Sequence, residues 1–83
     1  MNFAEHVKIR NEKFGTVIFE TLTEKIFITN ETGSEILQRI EQGKSLPQII
    51  EELQKNYLDN QEIGKDIANF VDRLKENNFI VGK

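Results

Sequence analysis

The chain contains no cysteine. Disulfides, thiolate metal ligands and a cysteine nucleophile are therefore excluded. Tryptophan is also missing, and there is a single histidine, His6. One imidazole with no second histidine and no thiolate cannot assemble the converging ligands a metal site needs, so His6 is expected to be a surface residue. No apolar run approaches the ~18 residues that would span a bilayer, and no membrane association is expected. The opening stretch, MNFAEHVKIR, lacks the apolar centre of a signal peptide, which makes the cytoplasm the expected compartment. A basic excess is missing too. Eleven Lys and Arg stand against 14 Asp and Glu, a formal net charge of −3, whereas phosphate binding needs a basic face. Nucleic acid is not the expected partner.

What is present is an ordinary small-domain composition. The chain has 83 residues, 37% of them hydrophobic and 30% charged. That is enough for one domain, 1–83, with a modest core. VKIR, 7–10, alternates apolar and polar residues as a half-buried strand does. FGTVIFE, 14–20, and KIFITN, 25–30, have the β-branched and aromatic composition of strands. Gly15 inside the second suggests a bulge or a close backbone approach, and TLTE, 21–24, is a four-residue hairpin loop. Val17 and Phe19 share one face, as do Ile26 and Ile28. Pairing these faces and pointing them at the core leaves Ile18 and Phe27 on the opposite side.

The second half reads as three helices. Thr32-Gly33-Ser34-Glu35 has the form of a capping box, followed by an apolar stripe at Ile36, Leu37 and Ile40. Gly43 is placed to end that helix. Ser45-Leu46-Pro47-Gln48 is a second box with proline in the first turn, where its missing N–H costs nothing. Asp59-Asn60-Gln61-Glu62 is a third start signal. Ile63, Ile67, Phe70, Val71 and Leu74 then make the clearest helical stripe in the chain. Asn77-Asn78 ends it, and Phe79-Ile80-Val81 closes the chain as an apolar tail or short strand. The expected fold is α+β and winged-helix-like: a three-stranded antiparallel sheet followed by three helices.

No catalytic constellation stands out. Gly43-Lys44-Ser45 matches the end of a phosphate-binding loop, but that motif needs a glycine at 38, where Gln38 stands, and a strand feeding the loop. A serine opening a helix suits an acyl carrier protein, yet those proteins are all-helical and place aspartate where this chain has Lys44. The carboxylates are interspersed with lysines, as on solvated helix faces. The third helix balances Lys65, Arg73 and Lys75 against Glu62, Asp66, Asp72 and Glu76, a poor surface for DNA. The only basic cluster, Lys8, Arg10 and Lys13, is on the first strand. The chain is expected to be neither an enzyme nor a cofactor carrier. A DNA-binding or general interaction module is the alternative to the reading that follows.

Residues 26–29 lack the usual guards of a strand edge. Edge strands offer unpaired N–H and C=O groups, and proteins normally blunt them with charge or proline. Ile26, Phe27, Ile28 and Thr29 include neither. Such an edge beside an amphipathic helix makes a groove into which an extended peptide can add a strand, or through which two copies can pair, so a monomer and a strand-paired dimer are both open. At these residues the sequence resembles the PqqD-like family. The similarity lies in the NETGSEIL entry to the first helix, the GKSLPQII opening of the second, and the DIANFVDRL frame of the third. Arg10 to Gly15 is similar to members that accompany radical SAM peptide maturases. Asn78 stands where many members have glycine; asparagine tolerates the same left-handed backbone. The resemblance implies a non-catalytic chaperone that binds the leader of a ribosomally made precursor peptide and presents it to a modifying enzyme of the radical SAM class. It implies a leader site on Lys25, Ile26, Phe27, Ile28 and Thr29, faced by a helix side drawn from Asp66, Ile67, Phe70, Val71, Arg73 and Leu74.

Overall fold

The structure is a computed structural model and describes residues 1–57 and 62–81. Five strands and three helices follow in the order β1 (Asn2–Phe3), β2 (Val7–Glu12), β3 (Gly15–Glu20), β4 (Lys25–Thr29), α1 (Glu31–Glu41), α2 (Leu46–Asn56), α3 (Ile63–Glu76) and β5 (Ile80–Val81). This is an α+β fold built on a three-stranded antiparallel sheet, order β2-β3-β4. The short strands β1 and β5 pair separately, with Phe3 opposite Ile80. β5 realises the apolar tail expected from the sequence. β1 was not foreseen, because a two-residue strand carries no period to detect.

Register fixes which residues face the core. Val17 lies opposite Ile28, Ile18 opposite Phe27, and Phe19 opposite Ile26. The expected cross-strand partners are therefore correct, but the expected inside and outside are reversed. Ile18 is fully buried, whereas Ile26 and Ile28 are 62% and 64% exposed. Phe27 packs against the core. Its ring meets Phe70 edge-on at 5.6 Å and Phe79 at 5.9 Å, the geometry preferred by aromatic quadrupoles. The physical reason for the reversal is that the helices cover the face bearing Ile18. There α1 contributes Ile36, Leu37 and Ile40, α2 contributes Ile49 and Leu53, and α3 contributes Ile63, Ile67, Val71 and Leu74 to one continuous core.

The helix ends follow local chemistry. Ser45 and Gln48 form the expected capping box at α2, with Pro47 in its first turn. At α1 the cap is Asn30, whose side chain accepts from the Gly33 N–H at 3.0 Å, so the helix begins before the Thr32 box expected to open it. Of the third start signal, residues 59–61 lie outside the described residues, and Glu62, at the N-cap position of α3, makes no side-chain cap bond. Asn78 adopts the left-handed backbone, φ 64°, that its position after α3 requires.

The joint between β4 and α1 is unusually tight. A Cβ on Gly15 would lie 1.8 Å from the Thr29 carbonyl oxygen, and one on Gly33 would lie 1.6 Å from the Thr29 hydroxyl. Thr29 is thus held between two glycines, which confirms the close backbone approach anticipated at Gly15.

Candidate functional site

The orientation of the backbone on β4 follows from one bond beyond its neighbour strands. The Thr21 N–H donates to the His6 carbonyl at 2.9 Å. This pair continues the β2–β3 register, in which Val7 faces Glu20 and Lys8 faces Phe19. Bonded and non-bonded pairs alternate along an antiparallel ladder. On β3, residues 15, 17 and 19 therefore turn their backbone groups toward β2, and residues 16, 18 and 20 turn theirs toward β4. Thr29, Phe27 and Lys25 receive those bonds. The N–H and C=O groups of Ile26 and Ile28 consequently point away from β3. No strand among the described residues lies beyond β4.

Helix α3 meets β4 through the edge-on contact of Phe27 with Phe70, both half-buried, which forms an apolar floor between them. Of the helix residues expected to border the site, Asp66 and Arg73 are exposed and Phe70 is half-buried. Ile67, Val71 and Leu74 are fully buried in the core. Val71 and Leu74 thus have no surface to give a ligand, because the helix must spend that stripe on the domain interior. Ile67 differs, since it also lines a pocket of about 350 Å³ beside the end of β4. Asn30, Gly33, Ile36, Tyr57, Asp66 and Phe70 are also among its walls. Its floor is apolar, while Asp66 and Asn30 supply polar atoms, the usual make-up of a site that takes one side chain and fixes its orientation. The Tyr57 hydroxyl donates to a Glu35 carboxylate oxygen, which ties the end of α2 to α1. Tyr57 and Ile36 escaped the sequence reading of the site. The only signal available was that Tyr57, the single tyrosine, ends the apolar stripe of α2.

The loop that positions β4 is held by a carboxylate. Glu20 accepts from the Thr23 hydroxyl at 2.6 Å and from the Leu22 and Thr23 N–H groups at 2.9 Å. The Thr23 hydroxyl bond, followed by the Leu22 N–H bond, holds the Glu20 carboxyl below its ordinary value of 4.5. On the other side of the domain, Lys44 and Arg39 bind Glu52, joining α1 to α2. The Lys44 bond is the larger reason that the Glu52 carboxyl is also lowered. Among the described residues, no group of three or more His, Asp or Glu is placed to hold a metal ion, and no helix is long and apolar enough to cross a membrane.

Comparison with known proteins gives the architecture its context. The chain is similar to a solved structure described as TbiB1 in complex with the TbiA(beta) leader peptide, with a TM-score of 0.89 and 20% identity over 100% of this chain and 98% of that one. It is also similar to a lasso peptide synthetase B1 complexed with the leader peptide, with a TM-score of 0.83 and 23% identity over 96% and 95% of the two chains. No curated protein matches by sequence. The family model described as coenzyme PQQ synthesis protein D matches residues 15–80, a span containing β3, β4 and all three helices, and the chain belongs to the PqqD family.

Proposed function

We propose that this chain is a non-catalytic recognition domain, spanning 1–83, that binds the leader of a ribosomally made precursor peptide as an added strand on β4 and presents it to a modifying enzyme. The observation that carries this reading is the outward backbone of Ile26 and Ile28, on an edge with neither proline nor charge between them, beside the Phe27–Phe70 floor. Main-chain bonds to those two residues supply affinity, and side-chain pockets supply choice. The pocket at Asn30, Asp66 and Phe70 receives one leader side chain. Two solved proteins of this fold are described with leader peptides bound, and family membership supports the same role.

Finer features belong to the same reading. The strand-then-helix order is winged-helix-like, but the mixed charge of α3 gives DNA no basic face. The Arg10–Gly15 segment supports a radical SAM maturase as the enzyme, whereas one of the solved relatives is described as a lasso peptide synthetase B1. A ribosomally made substrate places the encounter in the cytoplasm.

Titration of the isotopically labelled chain with synthetic leaders of candidate precursor peptides tests the site. Amide shifts are expected on residues 25–30 and on the exposed side of α3. Shifts confined to β2 or α2 would defeat the assignment.

A further inference from the structure

The reversed face of the sheet leaves an apolar surface that the leader site does not use. Two rows cross it from edge to edge. Lys8, Phe19 and Ile26 form one, and Arg10, Val17 and Ile28 form the other. Ile26 and Ile28 are the most exposed of the four apolar members. Lys8 and Arg10 are exposed at the opposite end of the rows, and Arg10 pairs with Glu12 on its own strand. Each row therefore runs from a cation to two apolar residues and stops at the open edge of β4. β-sheets that face water normally alternate apolar-in with polar-out. Here the outward positions of both β3 and β4 are apolar, so the pattern of a solvated face is broken over adjacent strands. Contiguous apolar patches with polar rims mark interaction sites.

We infer that this outward face is the docking surface for the modifying enzyme, through an apolar patch on that enzyme bordered by carboxylates, and that a bound leader completes it. The inference rests on leader addition at β4. An added strand lies ~4.8 Å beyond β4 and its alternate side chains point to the same outward face. The residues opposite Ile26 and Ile28 would thus extend the two rows by one member each. The enzyme meets a wider face when the domain is loaded than when it is empty. Charge selects among occupants. Face-to-face packing of a second copy would bring Lys8 and Arg10 of both chains into one interface, where like charges repel. An anionic bilayer would meet only these two cations on a chain of net charge −3. An enzyme surface carrying Asp or Glu meets both cations favourably.

The test uses the intact chain, the synthetic leader and the purified enzyme that modifies the precursor carrying that leader. Lys8→Glu/Arg10→Glu reverses the rim two strands away from the leader edge, and Phe19→Thr removes the centre of one row while keeping a strand-forming residue. Leader affinity, read by fluorescence anisotropy, is expected to be unchanged in both variants. Enzyme affinity for the loaded domain is expected to fall about tenfold or more in each, equivalent to ~1.4 kcal/mol. It is also expected to weaken with added salt in the wild type and to be weaker for the empty domain. Equal enzyme affinity in wild type and both folded variants overturns the docking surface while leaving leader binding intact. Failure of the wild type to bind leader instead overturns the strand-addition reading on which it stands. Dimer formation lost in the variants during sedimentation, or binding to phosphatidylglycerol vesicles without enzyme affinity, would assign the face to a second copy or to a membrane and overturn the proposal.

Discussion

The two free edges of the sheet are built differently. β2 reads VKIRNE, with Lys8, Arg10 and Glu12 along it; β4 reads KIFIT, with its only charge at the first residue. Both strands pair with β3 on one side and are open on the other. On β2 the backbone groups at the open edge belong to Val7, Ile9 and Asn11, by the alternation that assigns those of Ile26 and Ile28 on β4. The Val7 N–H is already taken by the Ala4 carbonyl. β2 is thus interspersed with charge and partly occupied by its own chain, while β4 is bare. The difference teaches that an edge is kept open by what is withheld from it, since pairing to a second chain is the default behaviour of an unguarded strand.

Proline scanning is the strongest way to break this comparison. Ile28→Pro removes a donor aimed at the added strand and is expected to abolish leader binding while the domain stays folded. Phe27→Pro removes a donor used within the sheet and a core-packed ring, so it is expected to unfold the domain at lower temperature. Asn11→Pro does to the β2 edge what Ile28→Pro does to β4, and is expected to leave leader affinity unchanged. Calorimetric titration beside thermal melts separates these outcomes. Equal binding by folded Ile28→Pro and wild type would rule out strand addition at β4.

The two faces of the sheet provide a second contrast. Ile18→Ala opens a cavity in the core and is expected to cost ~2–5 kcal/mol in urea denaturation. Ile28→Ser, on the outward face, is expected to change stability by only about 0.5 kcal/mol or less. Reversal of that order would mean the faces are assigned wrongly.

The smallest expected effect concerns the loop leading into β4. Glu20 has its carboxyl lowered by the Thr23 and Leu22 bonds. Its contribution to stability is therefore full above its unfolded value, near 4.5, and is lost as pH falls through the lower folded value. Glu20→Gln is expected to flatten the acid side of the stability curve relative to wild type. Glu52, which is lowered in the same direction, contributes to the residual slope. An acid limb of unchanged steepness in Glu20→Gln would show that the loop bonds contribute nothing.

The helices were the most legible part of the molecule, because the stripe from Ile63 to Leu74 and the Ser45–Gln48 box each state a period and a start. The strands and their partners were legible as well. Their inward face was not. Alternation yields two sets of residues without saying which set is inside. Val17, Phe19, Ile26 and Ile28 outnumber Ile18 and Phe27, so counting apolar residues selects the wrong face. Only the placement of the helices against Ile18 decides it. The same limit applied to the site. Sequence marked the bare strand and α3, but it could not separate Phe70, which is half-buried against Phe27, from Val71 and Leu74, which lie wholly in the core. The pocket beside Asn30 joins residues of α1 and α3 with Asn30 and Tyr57 at helix ends, and no local pattern announces it.

The clamping of Thr29 between Gly15 and Gly33 sets an origin for measurement. A peptide laid along β4 advances ~3.3 Å per residue, and side chains alternate in direction. With the end of the strand packed closely against two glycines, a leader added to β4 as proposed would place a given side chain in the pocket beside it only when the rest of the peptide was in step. A slip of one residue would move the reactive segment downstream by ~3.3 Å and would turn every leader side chain to the wrong face. Under the proposed strand addition, the two glycines would serve as the zero mark of a molecular ruler, from which the distance to the site of modification would be counted.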